Sequence, residues 1–370
     1  MSRNEVEFQA LRGDDADRQL ELEVLRPSPT PQKTFTVSRR VLLGSGFAFL
    51  LVVLIVVVIT ANQSRSGSST VGPRSTGPLI PQGFSFAAVG DWGRKGDFHQ
   101  SDVANLMGLK CAERLCDFIV SVGDNFYDNG VKNVKDSLWY TSFESIYKHT
   151  SLQAKWYVVL GNHDYRGNAQ AQVDYSMTSP RWHMPARYYQ SVFDAIASDG
   201  TRVKMAMFYL DTNPFIQEYR TEDKYTQGDL LEQDTAQQLA WLRKALSAAG
   251  DADWKIVVAH HPVYSAAGHG DTHELIDQLQ PILVQTGVDL YICGHDHDLQ
   301  HIKKDESKVH YFVSGAGSET RDEISATNSL RWQSIQSGFM LFSLKTKDVM
   351  TMEAFTWDGV NPYTATIARP

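Results

Sequence analysis

Between residues 84 and 314 the chain returns repeatedly to short apolar runs rich in Val, Ile, Phe and Tyr: FSFAAV, DFIVSV, WYVVL, MAMFYL, WKIVVA, VDLYIC and VHYFVS. Each reads as a β-strand, and each is followed at once by Gly, Asp or His, so polar chemistry collects at strand ends. Between two of them, Asp234-Thr235 offers a helix N-cap, Leu239, Trp241, Leu242 and Leu246 recur at helical spacing, and Gly250 supplies a stop. That segment is predicted to be a helix packed on a sheet. The runs FMLFSLK and VMTMEAFTW, separated by a polar Lys-Thr-Lys-Asp turn, read as antiparallel strands. No internal repeat is evident. The pattern predicts an α/β fold, a two-sheet β-sandwich flanked by α-helices, with function on the loops at one edge of the sheets.

The N-terminal part follows other rules. Residues 41–60, VLLGSGFAFLLVVLIVVVIT, carry no charge and are about long enough to cross a bilayer. Lys33, Arg39 and Arg40 precede this stretch and Arg65 is the first basic residue after it, which places the N-terminus in the cytosol. A long cleaved signal peptide and a twin-arginine signal are competing readings. The length, the strong apolarity and the lack of a small-x-small cleavage site favour an uncleaved signal anchor. Residues 1–40 mix seven acidic and seven basic residues around Pro-Ser-Pro-Thr-Pro and are expected to be a disordered cytosolic tail. Residues 61–82, rich in Ser, Gly, Thr and Pro, suit a flexible stalk, and Asn62-Gln63-Ser64 lies too near the bilayer to be used as a glycosylation acceptor. Residues 83–370 are then expected to be the folded domain of a single-pass type II membrane protein, lumenal or extracellular, or secreted if the anchor is cleaved.

Composition removes some functions. The 35 Lys+Arg against 43 Asp+Glu leave a net charge of −8, which argues against a polyanion-binding surface and so against nucleic acid as a partner. Three cysteines are too few for a disulfide framework; Cys111 and Cys116 could pair if oxidised, and Cys293 reads as a buried free thiol.

Five motifs stand in order at the strand ends: Gly90-Asp91-Trp92-Gly93, Gly123-Asp124-Asn125-Phe126-Tyr127, Gly161-Asn162-His163-Asp164, Val257-Val258-Ala259-His260 and Gly294-His295-Asp296-His297. Singly each is weak: a Gly-Asp pair is more often a turn, and a lone tyrosine is usually core. Jointly they point to metal. Hard, highly charged ions take carboxylate and phenolate oxygen, and a divalent partner accepts imidazole and amide oxygen. One carboxylate can bridge two ions, with Asp124 the candidate. Seven of the twelve histidines (His260, His261, His269, His273, His295, His297 and His301) fall in one stretch, which favours metal or acid–base work.

Over residues 84–356 these motifs, with GDNFYDNG, GNHDY, HPVYSAAGHG, YICGHDHDLQ and SGAG, resemble the purple acid phosphatases, calcineurin-like metallophosphoesterases, and most closely their small mammalian tartrate-resistant and low-molecular-weight plant forms. The resemblance implies a four-layer αββα fold and a ferric site of Asp91, bridging Asp124, Tyr127 and His297. A divalent site for iron, zinc or manganese would take Asp124, Asn162, His260 and His295. It also implies that His163 and His269 contact the substrate phosphate and assist protonation of the leaving group. Most other calcineurin-like enzymes have histidine where Gly93 stands, and they lack Tyr127. His261 departs from the tyrosine common in the small forms; it and His273 read as lying behind the ligands or on the surface. The implied reaction is hydrolysis of a phosphate monoester by metal-activated water in line with the ester oxygen. The rivals are a phosphodiesterase or nucleotide pyrophosphatase on the same fold, and a non-catalytic membrane-anchored metal-binding module. Residues 165–186 and 212–228, which should shape the pocket, carry no motif that names a substrate.

Overall fold

All seven apolar runs form strands, because the fold covers both of their faces. The computed structural model describes residues 83–226, 229–321 and 329–369. One sheet joins β1 (Ser85–Val89), β2 (Phe118–Ser121), β3 (Lys155–Val158), β4 (Trp182–His183), β12 (Gly338–Thr346), β13 (Val349–Thr356) and β14 (Tyr363–Ala368) in the order β14-β13-β12-β1-β2-β3-β4. The other joins β5 (Tyr189–Ile196), β6 (Arg202–Tyr209), β7 (Trp254–Val258), β8 (Leu290–Cys293), β9 (Leu299–Lys303), β10 (His310–Ser314) and β11 (Leu330–Ser334) in the order β11-β9-β10-β8-β7-β6-β5. The inner strands β1, β2 and β3 pair in parallel, as do β6, β7, β8 and β10. Each parallel set therefore ends on the same edge of its sheet, the usual place for a site in an α/β fold.

Aromatic rings fill the space between the sheets. Phe86 stacks on Phe118 and Phe342 at centroid separations of 5.1 and 5.0 Å, and Phe312 of the second sheet meets Phe342 edge-on at 5.3 Å. A second core lies between the second sheet and its helices. There Leu242 and Leu246 of the helix Thr235–Ala248 are fully buried with Leu275, Ile282 and Leu283. The Asp234 side chain caps that helix by accepting from the Gln237 amide. Gly338 to Thr346 and Val349 to Thr356 pair antiparallel, with Leu344 opposite Met350.

Five strands, β4, β5, β9, β11 and β14, and the helix Gln100–Arg114 have no counterpart in the sequence reading. A disulfide joins Cys111 to Cys116 across the end of that helix, and Cys293 is a buried free thiol. Among the described residues no helix is long and apolar enough to cross a membrane. The expected tail, anchor and stalk all fall within residues 1–82 and lie outside the described residues.

Candidate metal centre

The five motifs sit where the parallel strands end: Asp91 just past β1, Asp124 past β2, Asn162 past β3, His260 past β7 and His295 past β8. Asp91, Asp124 and His295 have left-handed backbones, with φ of 58°, 48° and 72°. A side-chain-bearing residue there costs of order 1–3 kcal/mol and persists only where its surroundings hold it. Here the strain turns each side chain inward from its strand end. Two glycines make room: Gly123, at φ 97°, faces the His260 ring, and a Cβ on Gly161 would collide with the Asp124 carboxylate.

The ligand candidates form two groups that share Asp124. Around the Tyr127 hydroxyl stand Asp124 Oδ2 at 2.9 Å, His297 Nε2 at 2.9 Å and Asp91 Oδ1 at 3.1 Å. Around Asn162 Oδ1 stand His295 Nδ1 at 3.1 Å and His260 Nε2 at 3.2 Å, with Asp124 Oδ1 3.5 Å from the same His260 nitrogen. Each Asp124 oxygen thus faces one group. The His260 Nδ1–H donates to the Val122 carbonyl at 2.9 Å, so the lone pair on Nε2 points into the cluster.

This donor set fits metal ions. The Tyr127 hydroxyl has one proton for the carboxylates and imidazole that crowd it, so hydrogen bonding alone leaves close acceptors facing one another. Burial, then the charge of Asp124, pushes the Asp91 carboxyl well up. Burial, then Asp124 and Asp91, does the same to the Tyr127 phenol. Burial also works against Asp124, yet the neighbouring His260 and His163 rings and the His163 amide hold its carboxyl below the usual range. Burial keeps His260, His295 and His297 uncharged, the state in which imidazole binds metal. Concentrated oxygen donors and neutral imidazoles together call for cations. Asp91, Asp124 and His260, and separately His260, His261 and His295, bring their ligand atoms within 4.8 Å of one another. His261, however, has both ring nitrogens engaged, with Thr212 Oγ1 at 2.9 Å and the Tyr219 hydroxyl at 3.1 Å. It fastens residues 212–219 to the centre from behind. His273 is exposed at a helix start, and His301 bonds to Tyr363 and His310.

Two histidines stand at the rim. His163 donates from Nδ1 to the Asp128 carbonyl at 2.7 Å, and its Nε2 lies 3.9 Å from Asp124. Burial lowers the His163 ring to about 4. His269 donates from Nδ1 to Asp296 Oδ1 at 2.8 Å, and its ring centroid lies 4.2 Å from that of His295 at a tilt of 33°. Its Nε2 accepts from Arg321 at 3.3 Å. A carboxylate behind the His269 ring meets a proton arriving at Nε2 with a counter-charge; the carbonyl behind His163 offers only a dipole.

Several functional neighbours escaped the sequence reading. Asp296 orients His269 and is itself bonded to Ser265. Asp164 accepts from the Asn125, Phe126 and Gly161 amides and from the Asn125 and Gln172 side chains, which ties two ligand loops together. Burial and Asp124 push its carboxyl up to about 7. Both lie inside quoted motifs, and that position was the available signal. Arg94 lies outside any such signal. Its guanidinium carbon sits 3.9 Å from the Tyr127 ring centroid and is held by Glu319 at 2.7 Å.

A profile of the calcineurin-like phosphoesterase family matches residues 84–299. Purple acid phosphatase 7 of Arabidopsis thaliana is 43% identical over 249 residues, 64% of this chain and 70% of the relative. Tartrate-resistant acid phosphatase type 5 of Homo sapiens is 38% identical over 272 residues, 71% of this chain and 80% of the relative. Among solved structures, GAP50, the anchor in the inner membrane complex of Plasmodium, superposes with a TM-score of 0.67 at 25% identity, covering 78% of this chain and 89% of the other. The purple acid phosphatase PPD1 from yellow lupin (Lupinus luteus) seeds shares the fold, with a TM-score of 0.54 at 14% identity over 78% of this chain and 54% of the other.

Proposed function

The chain belongs to the purple acid phosphatases of the calcineurin-like phosphoesterase family, and from that premise we propose that it hydrolyses phosphate monoesters at a dinuclear Fe(III)–M(II) centre. It is an acid phosphatase, and its family implies the dinuclear centre. The observation that carries the reading is the meeting of two donor groups at Asp124. Asp91, Asp124, Tyr127 and His297 would hold the ferric ion; Asp124, Asn162, His260 and His295 would hold iron, zinc or manganese. When bound, the ions supply an activated water and positive charge against the phosphate.

The chain's own residues do the rest. Asp124 presents one oxygen to each group, which suits a bridge. His163 and His269 hold their Nδ1 protons on fixed acceptors, with His163 Nε2 3.9 Å from Asp124 and His269 Nε2 accepting from Arg321. With Asp296 behind it, His269 is the better placed to give the leaving oxygen its proton. The likeness to GAP50 favours a second reading, a non-catalytic anchor, against which the assembled donor set argues. The proposal includes a setting, with residues 41–60 as an uncleaved signal anchor and the domain lumenal or extracellular. The Cys111–Cys116 disulfide supports an oxidising compartment.

The test is metal analysis, a visible spectrum and hydrolysis of para-nitrophenyl phosphate and its bis ester at acid pH, on the full chain in detergent. Iron with a second metal, a phenolate-to-iron band, and monoester activity lost to chelator and dithionite are expected. A chain without iron or the band sinks the ferric assignment. One that binds metal yet cleaves neither ester leaves the anchor reading standing, and preference for the bis ester makes it a diesterase.

A further inference from the structure

The open side of the centre carries a guanidinium that belongs to none of the five motifs. Arg321 follows the turn Ser314 to Gly317, and its base is fixed: its amide donates to the His297 carbonyl at 3.2 Å, and nearby Ser318 Oγ donates to the Asp91 carbonyl at 2.5 Å. Its side chain is exposed and reaches across to His269, where Nη1 donates to Nε2 at 3.3 Å. Among the described residues Arg321 makes no ion pair, in contrast to Arg94, held by Glu319, and Arg187, held by Asp229. Its positive charge nevertheless bears on Asp91, His295 and His297. An arginine whose partner is a ring nitrogen rather than a carboxylate gives up little when a doubly charged oxyanion arrives, and its planar fork matches two phosphate oxygens.

The geometry points to Arg321 as the residue that grips the non-bridging oxygens of the incoming phosphate and favours dianionic monoesters over monoanionic diesters, an inference that rests on the phosphatase reading above. In the free protein the guanidinium covers His269 Nε2. Once drawn onto phosphate, it uncovers the nitrogen that faces the leaving oxygen. Nε2, which holds no proton while it accepts from Arg321, can then take one from water and pass it to the leaving oxygen.

The experiment compares the full metal-loaded chain with Arg321→Gln and Arg321→Lys in detergent. Arg321→Gln should raise the KM for para-nitrophenyl phosphate and the inhibition constant of inorganic phosphate about tenfold, the lower end for hydrogen bonds to a charged group. Arg321→Lys should fall between. Metal content should stay within twofold of wild type, and the KM for the bis ester should rise by less than that for the monoester. A phosphate inhibition constant unchanged within twofold in Arg321→Gln overturns the inference while leaving the phosphatase reading intact. Wild-type protein that neither cleaves the monoester nor binds phosphate overturns both. A second arm needs no variant: phosphate should shield Arg321 from phenylglyoxal, read by peptide mass spectrometry, and an unaltered modification rate refutes the contact.

Discussion

At the scale of single residues, the proposed centre separates groups that would hold ions from groups that would move protons. Tyr127 supplies the one phenol among the seven ligand candidates, and its buried oxygen stands within 3.1 Å of two carboxylates and an imidazole. Tyr127→Phe should abolish the visible band, lower the iron content and reduce kcat by roughly 10²-fold, the effect of removing one well-placed electrostatic group; spectra taken beside metal analysis check it. Asp296→Asn addresses the other class. The variant keeps the size of the side chain but removes the counter-charge behind His269, so kcat on an alkyl phosphate should fall about 10²-fold, within the range for a positioned proton donor. Para-nitrophenyl phosphate, whose leaving group needs no proton, should lose only several-fold. Equal losses on both substrates would reduce Asp296 to a structural role. The ligand candidates were legible because each lies in a short motif at a strand end. Asp164 and Asp296 were passed over within those motifs, since their partners are amides and another side chain, which spacing does not display. Arg94 and Arg321 act across 33 and 52 positions, on Tyr127 and His269, and no local pattern carries such a pairing.

At the scale of elements, continuous apolar runs were readable as strands, whereas β5 and β14 at the sheet edges, and β9, whose buried run LQHIK carries polar residues, were not. β5 reads YQSVFDAI, buried and exposed by turns at a sheet edge, and β14 reads YTATIA with the same alternation. Their polar residues look like loop until the sheet supplies a neighbour. β9 and β14 also carry a link between the sheets. The Tyr363 hydroxyl donates to His301 Nδ1 at 2.8 Å, and the His301 Nε2–H donates to His310 Nδ1 at 2.9 Å. Burial, then His310, lowers His301 to about 3; burial, then Lys303 and Arg331, lowers His310 to about 4. Both folded values lie below the unfolded value of about 6.5, so below that pH the unfolded chain binds more protons and stability falls as pH falls. Between pH 7 and pH 5 the partly open His310 should account for about 1 kcal/mol of that loss, after discounting for solvent screening. His310→Gln should flatten the pH dependence by that amount. Denaturant midpoints at the two pH values measure it, and parallel curves for variant and wild type would exclude the pair.

At the scale of the whole molecule, the centre is also a fastening. Asp91, Asp124 and Asn162 end strands of one sheet, while His260, His295 and His297 follow strands of the other, and Asp124 faces both groups. Any ion held by this set joins the two halves of the sandwich at an edge where strained backbones and buried carboxylates otherwise oppose assembly. Each site filled at a thousand times its dissociation constant would add about 4 kcal/mol to the folded state. For a domain of this size each kcal/mol raises the melting temperature by roughly 2–4 °C. Stripping both ions with chelator and dithionite should therefore lower the melting temperature of the full chain by at least about 10 °C, and restoring iron with zinc or manganese should recover it. Asp124→Asn, which weakens both sites at once, should melt close to the stripped protein and respond little to added metal. Tyr127→Phe touches one group only and should retain the part of the response that the second ion supplies. Calorimetry on the three proteins decides the matter: a stripped chain melting within 2 °C of the loaded one would mean that the sandwich closes on aromatic packing alone.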